Sequence, residues 1–131
     1  MRLQHALVIL EEGNTILLLR DAKNEQRPKL PGGRVEAGET FLQAAVRELN
    51  EELSITLDQQ QLMVLCDFNF VWDNINYHHI IYTITSHTNN WKALAINREP
   101  EECSELIWAD KYNLPSDMLP PIRETLEKYF K

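Results

Sequence analysis

A glycine-rich turn leads into a helix whose two ends are both marked in the sequence, and this combination restricts the fold more than any other feature. The turn is Leu30-Pro31-Gly32-Gly33, a rigid residue followed by two permissive ones. Thr40, with Gln43 three residues later, has the spacing of a capping box, which predicts a helix over residues 40–53. The apolar residues of this helix share one arc of about 100° and predict a face that packs on a sheet: Leu42, Ala45, Val46, Leu49 and Leu53.

Three glutamates occupy a second arc of the same helix. Glu48, Glu51 and Glu52 stand at positions i, i+3 and i+4, where like charges repel by on the order of 0.2–0.5 kcal/mol per pair. Two interpretations are open at this point. The cluster either holds a cation, for which Mg²⁺ is suited because it takes one or two carboxylates together with waters and phosphate oxygens, or it is a solvated acidic face that Arg47 neutralises in part.

The spacing of residues from Gly33 to Ile55 resembles the Nudix box, G-x5-E-x7-R-E-U-x-E-E-x-G-U, in which U is an aliphatic residue. The matching positions are Gly33, Glu39, Arg47, Glu48, Leu49, Glu51, Glu52 and Ile55. Ser54 departs from the pattern, which has glycine there. Because glycine just past a helix commonly supplies a left-handed residue, serine is expected to cost roughly 1 kcal/mol or to bend the helix exit.

The resemblance to the Nudix hydrolases implies a role for each charged residue of the box. Glu48 and Glu52 would be the principal metal ligands, with Glu51 assisting, and one of these glutamates or an acid in a later loop would activate water. Glu39 and Arg47 would form an ion pair that orients the ligand glutamates. The family cleaves the diphosphate linkage of a nucleoside diphosphate joined to a moiety X, using Mg²⁺ or Mn²⁺.

Apolar and alternating segments predict strands on both sides of the helix. The predicted strands cover residues 3–10, 15–20, 61–70, 77–85 and 105–109. Gly13-Asn14 indicates a hairpin between the first two, residues 21–29 are expected to form a loop, and residues 122–130 a closing helix. This order indicates an α/β (α+β) fold with a mixed sheet, and the resemblance implies a Nudix-type α/β/α sandwich formed by a single domain, 1–131.

The net charge of −7, from 20 acidic and 13 basic residues, argues against a nucleic-acid polymer as the partner, because such proteins usually carry a basic face. Cys66 and Cys103 lie outside any CxxC spacing, so neither a disulfide scaffold nor a zinc ribbon is predicted. No apolar run reaches the roughly 18–20 residues that span a bilayer, and no signal-peptide pattern is present. We therefore expect a cytoplasmic protein without a membrane partner.

Five charged residues are candidates for substrate contact by position alone. Three cationic residues flank the glycine-rich turn and could bind phosphate oxygens: Arg20, Arg27 and Lys29. The alternative is that they are solvent-exposed side chains that do not contact the substrate. Glu101 and Glu102 follow Pro100 in a loop where members of the family often supply an extra acid that binds metal or acts as a base. The alternative for this pair is a solvent-exposed acidic turn.

Aromatic residues near a polar loop, 73–76, offer a surface for a nucleobase. Trp72, beside this loop, is the candidate for stacking on the base. Phe70 and Trp108 are expected to lie in the core, and Cys66 is expected to be a buried small apolar residue.

The substrate class follows from the resemblance alone. It favours the small MutT-type nucleotide diphosphatases, which hydrolyse (d)NTPs to the monophosphate and pyrophosphate. An ADP-ribose or nucleotide-sugar pyrophosphatase is the alternative within the family, and a Nudix module that binds nucleotides without turnover is the alternative outside enzymes. The expected partner is a small-molecule nucleotide, and because homodimers are common in the family, a homodimer is left open.

Overall fold

The computed structural model describes residues 2–23, 26–85 and 90–131, which form two sheets with helices packed against them. The strands of the first sheet are, in spatial order, β5 (Gly32–Arg34), β1 (Arg2–Val8), β7 (Ile75–Ile84) and β6 (Leu62–Trp72). Strand β1 runs parallel to β7 and antiparallel to β5, and β6 and β7 form an antiparallel hairpin. The mixed sheet expected from the sequence is confirmed.

The second sheet is organised around one central strand, β3. Its strands are β2 (Glu11–Glu12), β3 (Thr15–Asp21), β4 (Pro28–Lys29) and β8 (Cys103–Asp110). Strand β3 pairs antiparallel with each of the other three. The helices are α1 (Phe41–Leu53), α2 (Trp91–Leu94) and α3 (Pro120–Tyr129), and a 3-10 turn spans Gln59–Gln61.

Strands β1 and β3 are buried on both faces, because successive side chains of a strand point to opposite sides of the sheet. Their side chains on one face pack in a cluster with Ala45 and Leu49 of α1: Ala6, Val8, Leu17 and Leu19. The alternate residues pack in a second cluster with Ile122 and Leu126 of α3: Leu7, Ile9, Ile16 and Leu18. This layering of helix, sheets and helix confirms the sandwich and explains why residues 6–10 and 16–19 are continuous apolar runs.

Helix α1 has the ends that the sequence predicts. Thr40 accepts a hydrogen bond from the Gln43 backbone N–H, and the Gln43 side chain accepts one from Thr40 N, which completes the capping box. Ser54 takes the left-handed conformation that glycine usually supplies, with φ of 60°. The predicted buried face is confirmed at Ala45, Leu49 and Leu53. Ala44 is buried as well, whereas Leu42 and Val46 are only partly buried and pack against the core cluster.

Short elements differ most from the predictions. The expected loop over residues 21–29 contains the last residue of β3 and the whole of β4, and the glycine-rich turn continues as strand β5. The polar loop 73–76 is reduced to a two-residue turn at Asp73 and Asn74, both at positive φ, which is the hairpin turn such residues favour. Strands β4 and β5 have only two and three residues. Their sequences are too short to show a periodic pattern, because pairing with a neighbouring strand determines their conformation.

The edge position of β6 corrects one burial prediction. Cys66 is half-buried rather than buried, and its strand neighbours Met63 and Val64 are exposed, because β6 pairs with β7 alone among the described strands. Phe70 and Trp108 are partly buried and pack against the core clusters. No helix in the described ranges is both long enough and apolar enough to cross a bilayer.

Candidate active site

Arg47 is the centre of a network of carboxylates at the solvent-facing side of α1. Its guanidinium donates two hydrogen bonds to Glu39, from Nε to Oε2 at 2.7 Å and from Nη2 to Oε1 at 2.9 Å. Nη1 donates to Glu48 Oε1 at 2.8 Å and to Glu51 Oε2 at 3.2 Å. The hydrogen bonds from Arg47 hold the pKa of Glu39 at about 2. Glu39 and Arg47 therefore form the expected ion pair, and Arg47 is in direct contact with the candidate ligand Glu48.

Glu52 lies on the other side of the acidic arc and is fixed by the glycine-rich turn. The backbone N–H of Gly32 donates to Glu52 Oε1 at 2.8 Å. Burial raises the pKa of Glu52 to about 8, and the nearby charge of Glu48 acts in the same direction. Among the described residues, no cationic side chain lies within the 4.0 Å ion-pair limit of this carboxylate.

The second glycine of the turn gives Glu48 its space. A Cβ on Gly33 would lie 2.7 Å from Cδ of Glu48 and within 2.9 Å of both its carboxylate oxygens. The Gly33 backbone itself has no positive φ, so close approach, not conformation, explains the glycine. Burial also raises the pKa of Glu48, although the hydrogen bond from Arg47 opposes this shift.

These observations fit a bound cation. Glu48 and Glu52 use only their Oε1 atoms in hydrogen bonds within the described part of the chain. Both carboxylates are half-buried one helical turn apart, where their charged forms are disfavoured, and a cation would remove that penalty. Glu51 differs because its side chain is 48% exposed. No preformed group of three or more potential metal ligands exists in the residues that the structure describes.

A segment that the sequence analysis did not identify closes the end of α1. The backbone N–H groups of Ile96 and Arg98 donate to the carbonyl oxygens of Leu53 and Glu52, respectively, which would otherwise lack helical partners. This clamp brings Glu99 close enough for its charge to raise the pKa of both Glu48 and Glu52. The sequence did not indicate a role for Glu99, because its position depends on these backbone hydrogen bonds. The candidates chosen from this segment were Glu101 and Glu102 instead.

A cavity of about 500 Å³ opens beside the glycine-rich turn on the side of the sheet that faces α3. Gly32 and Gly33 line it, and so do three of the expected substrate residues: Arg27, Lys29 and Trp72. The guanidinium of Arg27 lies 5.8 Å from the Trp72 ring centroid. Lys29 also borders the small recess beside Glu52 and Glu99, so it lies between the cavity and the carboxylates.

The other expected substrate residues lie apart from this cavity. Arg20 donates from Nε to Glu105 at 2.8 Å and lies 3.7 Å from an Asp117 carboxylate oxygen. Glu102 borders the recess beside Glu52 and pairs with Lys23 at 2.8 Å. Glu101 is exposed. The structure thus brings together two cations, one indole ring and the glycine-rich turn, and leaves the remaining three residues outside.

Comparison with known proteins identifies the fold and the motif together. The sequence model of the NUDIX domain matches residues 1–129. The chain belongs to the Nudix family. The match covers both sheets and the three helices, including the acidic arc of α1, and ends at the last residue of α3. Nudix enzymes generally use divalent metal ions, in agreement with the donor set of Glu48 and Glu52.

Relatives of known sequence and structure extend this assignment. The 8-oxo-dGTP diphosphatase of Escherichia coli is 40% identical over 66 residues, which cover 48% of this Nudix chain and 51% of that protein. The 8-oxo-dGTP diphosphatase of Haemophilus influenzae is 31% identical over 101 residues, 77% of this chain and 68% of that one. A MutT NUDIX hydrolase from Burkholderia pseudomallei superposes with a TM-score of 0.81 at 23% identity, covering 97% of each chain. The aligned part thus spans about half of the E. coli relative, and the structural likeness defines the fold.

Proposed function

We propose that this Nudix protein hydrolyses nucleoside triphosphates, (d)NTPs, to the monophosphate and pyrophosphate, with Mg²⁺ as the cofactor and Mn²⁺ as a substitute. One observation carries the proposal. Gly32 and Gly33 line the large cavity and also contact Glu52 and Glu48, so a substrate in the cavity would have its phosphates next to two half-buried carboxylates. The names of the two bacterial relatives, both 8-oxo-dGTP diphosphatases, agree with this substrate class.

Glu48 and Glu52 would hold the cation, with Glu51 as the third carboxylate of the arc. A divalent cation bound there would neutralise charge on the phosphate oxygens and promote deprotonation of water. Magnesium suits the site because it is satisfied by one or two carboxylates and otherwise takes water and phosphate oxygens. Such a cation would also offset the repulsion between a polyanionic substrate and a protein with a net charge of −7.

The side chains around the site would orient the ligands and the substrate. Arg47, held by Glu39, fixes the Glu48 carboxylate, and the Gly32 N–H fixes Glu52. Lys29 and Arg27 would bind phosphate oxygens, and the Trp72 ring would stack on the nucleobase. In the reaction, a water oxygen would bond to one of the two phosphorus atoms that share the α,β-bridging oxygen, and the bond from that phosphorus to the bridging oxygen would break. The product that keeps the bridging oxygen would leave with the electron pair, and a glutamate of the site would accept the proton of the water.

A substrate panel tests this proposal. It contains dGTP, 8-oxo-dGTP, the other dNTPs, 8-oxo-dGDP and ADP-ribose, each assayed with MgCl₂ and with EDTA, with products separated by anion-exchange chromatography. We expect monophosphate and pyrophosphate from a triphosphate, only with the metal. Orthophosphate with a nucleoside diphosphate would contradict the proposal. Turnover restricted to ADP-ribose would support the other enzymatic alternative, and nucleotide binding without turnover would support a binding module.

A further inference from the structure

Two histidines that the metal site does not use line the same cavity. His5 on β1 and His79 on β7 are direct partners in the parallel register of the two strands. Their side chains therefore project from the same face of the sheet, and the ring centroids lie 4.9 Å apart. Both residues line the cavity, on the side where Met118 and Ile122 of the α3 cluster complete the wall.

The imidazole of His79 is buried and has no hydrogen-bond partner among the residues that the structure describes. Its exposure is 7%, and neither Nδ1 nor Nε2 is hydrogen-bonded; Nδ1 of His5 is likewise buried without a partner. Burial lowers the pKa of His79 to about 3 and that of His5 to about 4, so both rings are neutral at physiological pH. A neutral imidazole carries one N–H donor and one acceptor nitrogen. Unsatisfied buried groups of this kind are uncommon in proteins and point to a missing partner.

The surroundings of His79 are aromatic rather than charged. Its ring centroid lies 4.8 Å from that of Phe70 and 5.7 Å from that of Tyr77, both in edge-on arrangements. The cationic residues Arg27 and Lys29, the Trp72 indole and the glycine-rich turn line the same cavity. The cavity therefore combines cations that suit phosphate with aromatic and imidazole rings that suit a flat, uncharged group with hydrogen-bonding atoms on its edge.

We propose that His79, with His5 beside it, hydrogen-bonds the edge of the nucleobase and determines base selectivity in this protein. The inference rests on the proposed function, because it assumes that the cavity takes a nucleotide with its phosphates towards Gly32 and Gly33. Rotation of an imidazole about its Cβ–Cγ bond meets only a shallow barrier. Hydrogen bonding to a base would require the His79 ring to turn so that one nitrogen faces the cavity.

Three variants separate hydrogen bonding from packing. His79→Phe keeps a ring and removes both polar nitrogens, whereas His79→Gln keeps an N–H donor and a C=O acceptor. His5→Phe tests the second imidazole and is the alternative variant if His79→Phe does not fold. Circular dichroism and Tm measurements establish whether each variant is folded. The matched control is His78→Phe, because His78 is adjacent on β7, points to the opposite face and pairs with Asp67 at 2.6 Å.

The measurement compares dGTP with the base-free probe 2-deoxyribose 5-triphosphate. We expect His79→Phe to lower kcat/KM for dGTP by roughly tenfold, mainly through KM, which is the loss of one hydrogen bond. The base-free probe should be unaffected, and His79→Gln should recover most of the loss. The His78→Phe control should behave as the wild type with both substrates.

Equilibrium binding of dGMP without metal, measured by calorimetry, distinguishes the two proposals. Weaker binding in His79→Phe supports the role of His79 even if the wild type hydrolyses no nucleotide, in which case only the proposed function fails. Hydrolysis of dGTP with equal KM and equal dGMP affinity in wild type and His79→Phe would overturn the inference and assign the imidazoles to core packing. That second result would leave the proposed function standing.

Discussion

The Gly32 backbone N–H and the Glu52 carboxylate are joined by a 2.8 Å hydrogen bond, which ties the acidic helix to the turn that lines the cavity. The bond lies within the normal range for an amide donor and a carboxylate. It fixes one carboxylate oxygen and leaves the other for a ligand. Several expectations about metal binding, stability and substrate turnover depend on this arrangement.

The two glycines of the turn should respond differently to alanine. In Gly33→Ala the new Cβ would displace the Glu48 carboxylate, and we expect turnover to fall by about 10²-fold with little change in Tm, as for small misplacements of catalytic groups. In Gly32→Ala the Cβ would lie 2.1 Å from the Ala6 carbonyl oxygen at a φ of +130°, so this variant should lose stability first. Rates and thermal melts of both proteins test the difference. Unchanged turnover in Gly33→Ala would contradict the role given to Glu48.

Removing the charge of Glu52 should impair the reaction more than the fold. Glu52→Gln keeps the side-chain size and the acceptor for Gly32 N–H, and we expect kcat to fall by ~10²–10⁴-fold with weaker metal affinity. A rate series over MgCl₂ concentration separates the two effects. Near wild-type turnover at limiting Mg²⁺ would mean that the acidic arc is only a solvated helix face.

The metal-free protein should lose stability as the pH rises through the neutral range. The pKa of Glu52 is raised from 4.5 to about 8 in the folded state, so between these values the folded chain binds more protons than the unfolded chain. The contribution of Glu52 to the free energy of unfolding must then decrease with increasing pH over this interval. His5 and His79, whose pKa values are lowered in the folded state, contribute the opposite slope below about pH 6.5. Urea unfolding in EDTA from pH 7 to 9 should therefore show the decrease, and Glu52→Gln should reduce it. Glu101→Gln, at an exposed position, is the control that should keep the slope.

The Glu39–Arg47 pair should contribute mainly to stability and orientation. Because the pKa of Glu39 is lowered to about 2, its contribution is complete above the ordinary carboxyl pKa and is lost as the pH falls towards 2. Glu39→Gln should lower Tm at pH 7 by a few degrees, which corresponds to about 1 kcal/mol in a domain of this size. Its kinetic defect should be smaller than that of Glu52→Gln. An equal or larger loss of kcat with unchanged Tm would place Glu39 in the chemistry instead.

Glu99 should matter more for turnover than the two glutamates that follow it. Its charge acts on both Glu48 and Glu52, whereas Glu102 pairs with Lys23 and Glu101 is exposed. We expect Glu99→Gln to reduce kcat at least tenfold, consistent with acid–base or metal-linked roles of about 10²–10⁴, and Glu101→Gln and Glu102→Gln to have little effect. Parallel assays of the three variants at saturating Mg²⁺ provide the comparison. Wild-type rates in all three variants would contradict a role of Glu99 in turnover.

The sequence predicts the parts of this protein that local rules determine. Helix α1 begins at a capping box and ends at Ser54, and periodicity alone indicates its buried residues Leu49 and Leu53. The contact between Glu39 and Arg47 was expected from their spacing in a family motif. Each of these features depends on residues close together in the chain or on a pattern with fixed spacing.

Features that depend on distant parts of the chain were not predicted. Strand β5 exists because Gly32 and Gly33 pair with Leu7 and Ala6, and Glu99 reaches the site because its segment satisfies carbonyl groups at the end of α1. The pairing of His5 with His79 requires the parallel register of β1 and β7. Nothing in the local sequence around any of these residues carries that information.

The double-sided burial of β1 and β3 has a consequence for how such a protein can diversify. The carboxylates belong to the α1 side of the sheet, whereas His5, His79 and Met118 line the cavity on the α3 side. A substitution in one layer therefore leaves the side chains of the other layer in place. With the proposed roles of His79 in base recognition and of the glutamates in hydrolysis, new base preferences could arise by single changes on the α3 side while the carboxylates are inherited intact, so that recognition and chemistry could evolve separately in one small chain.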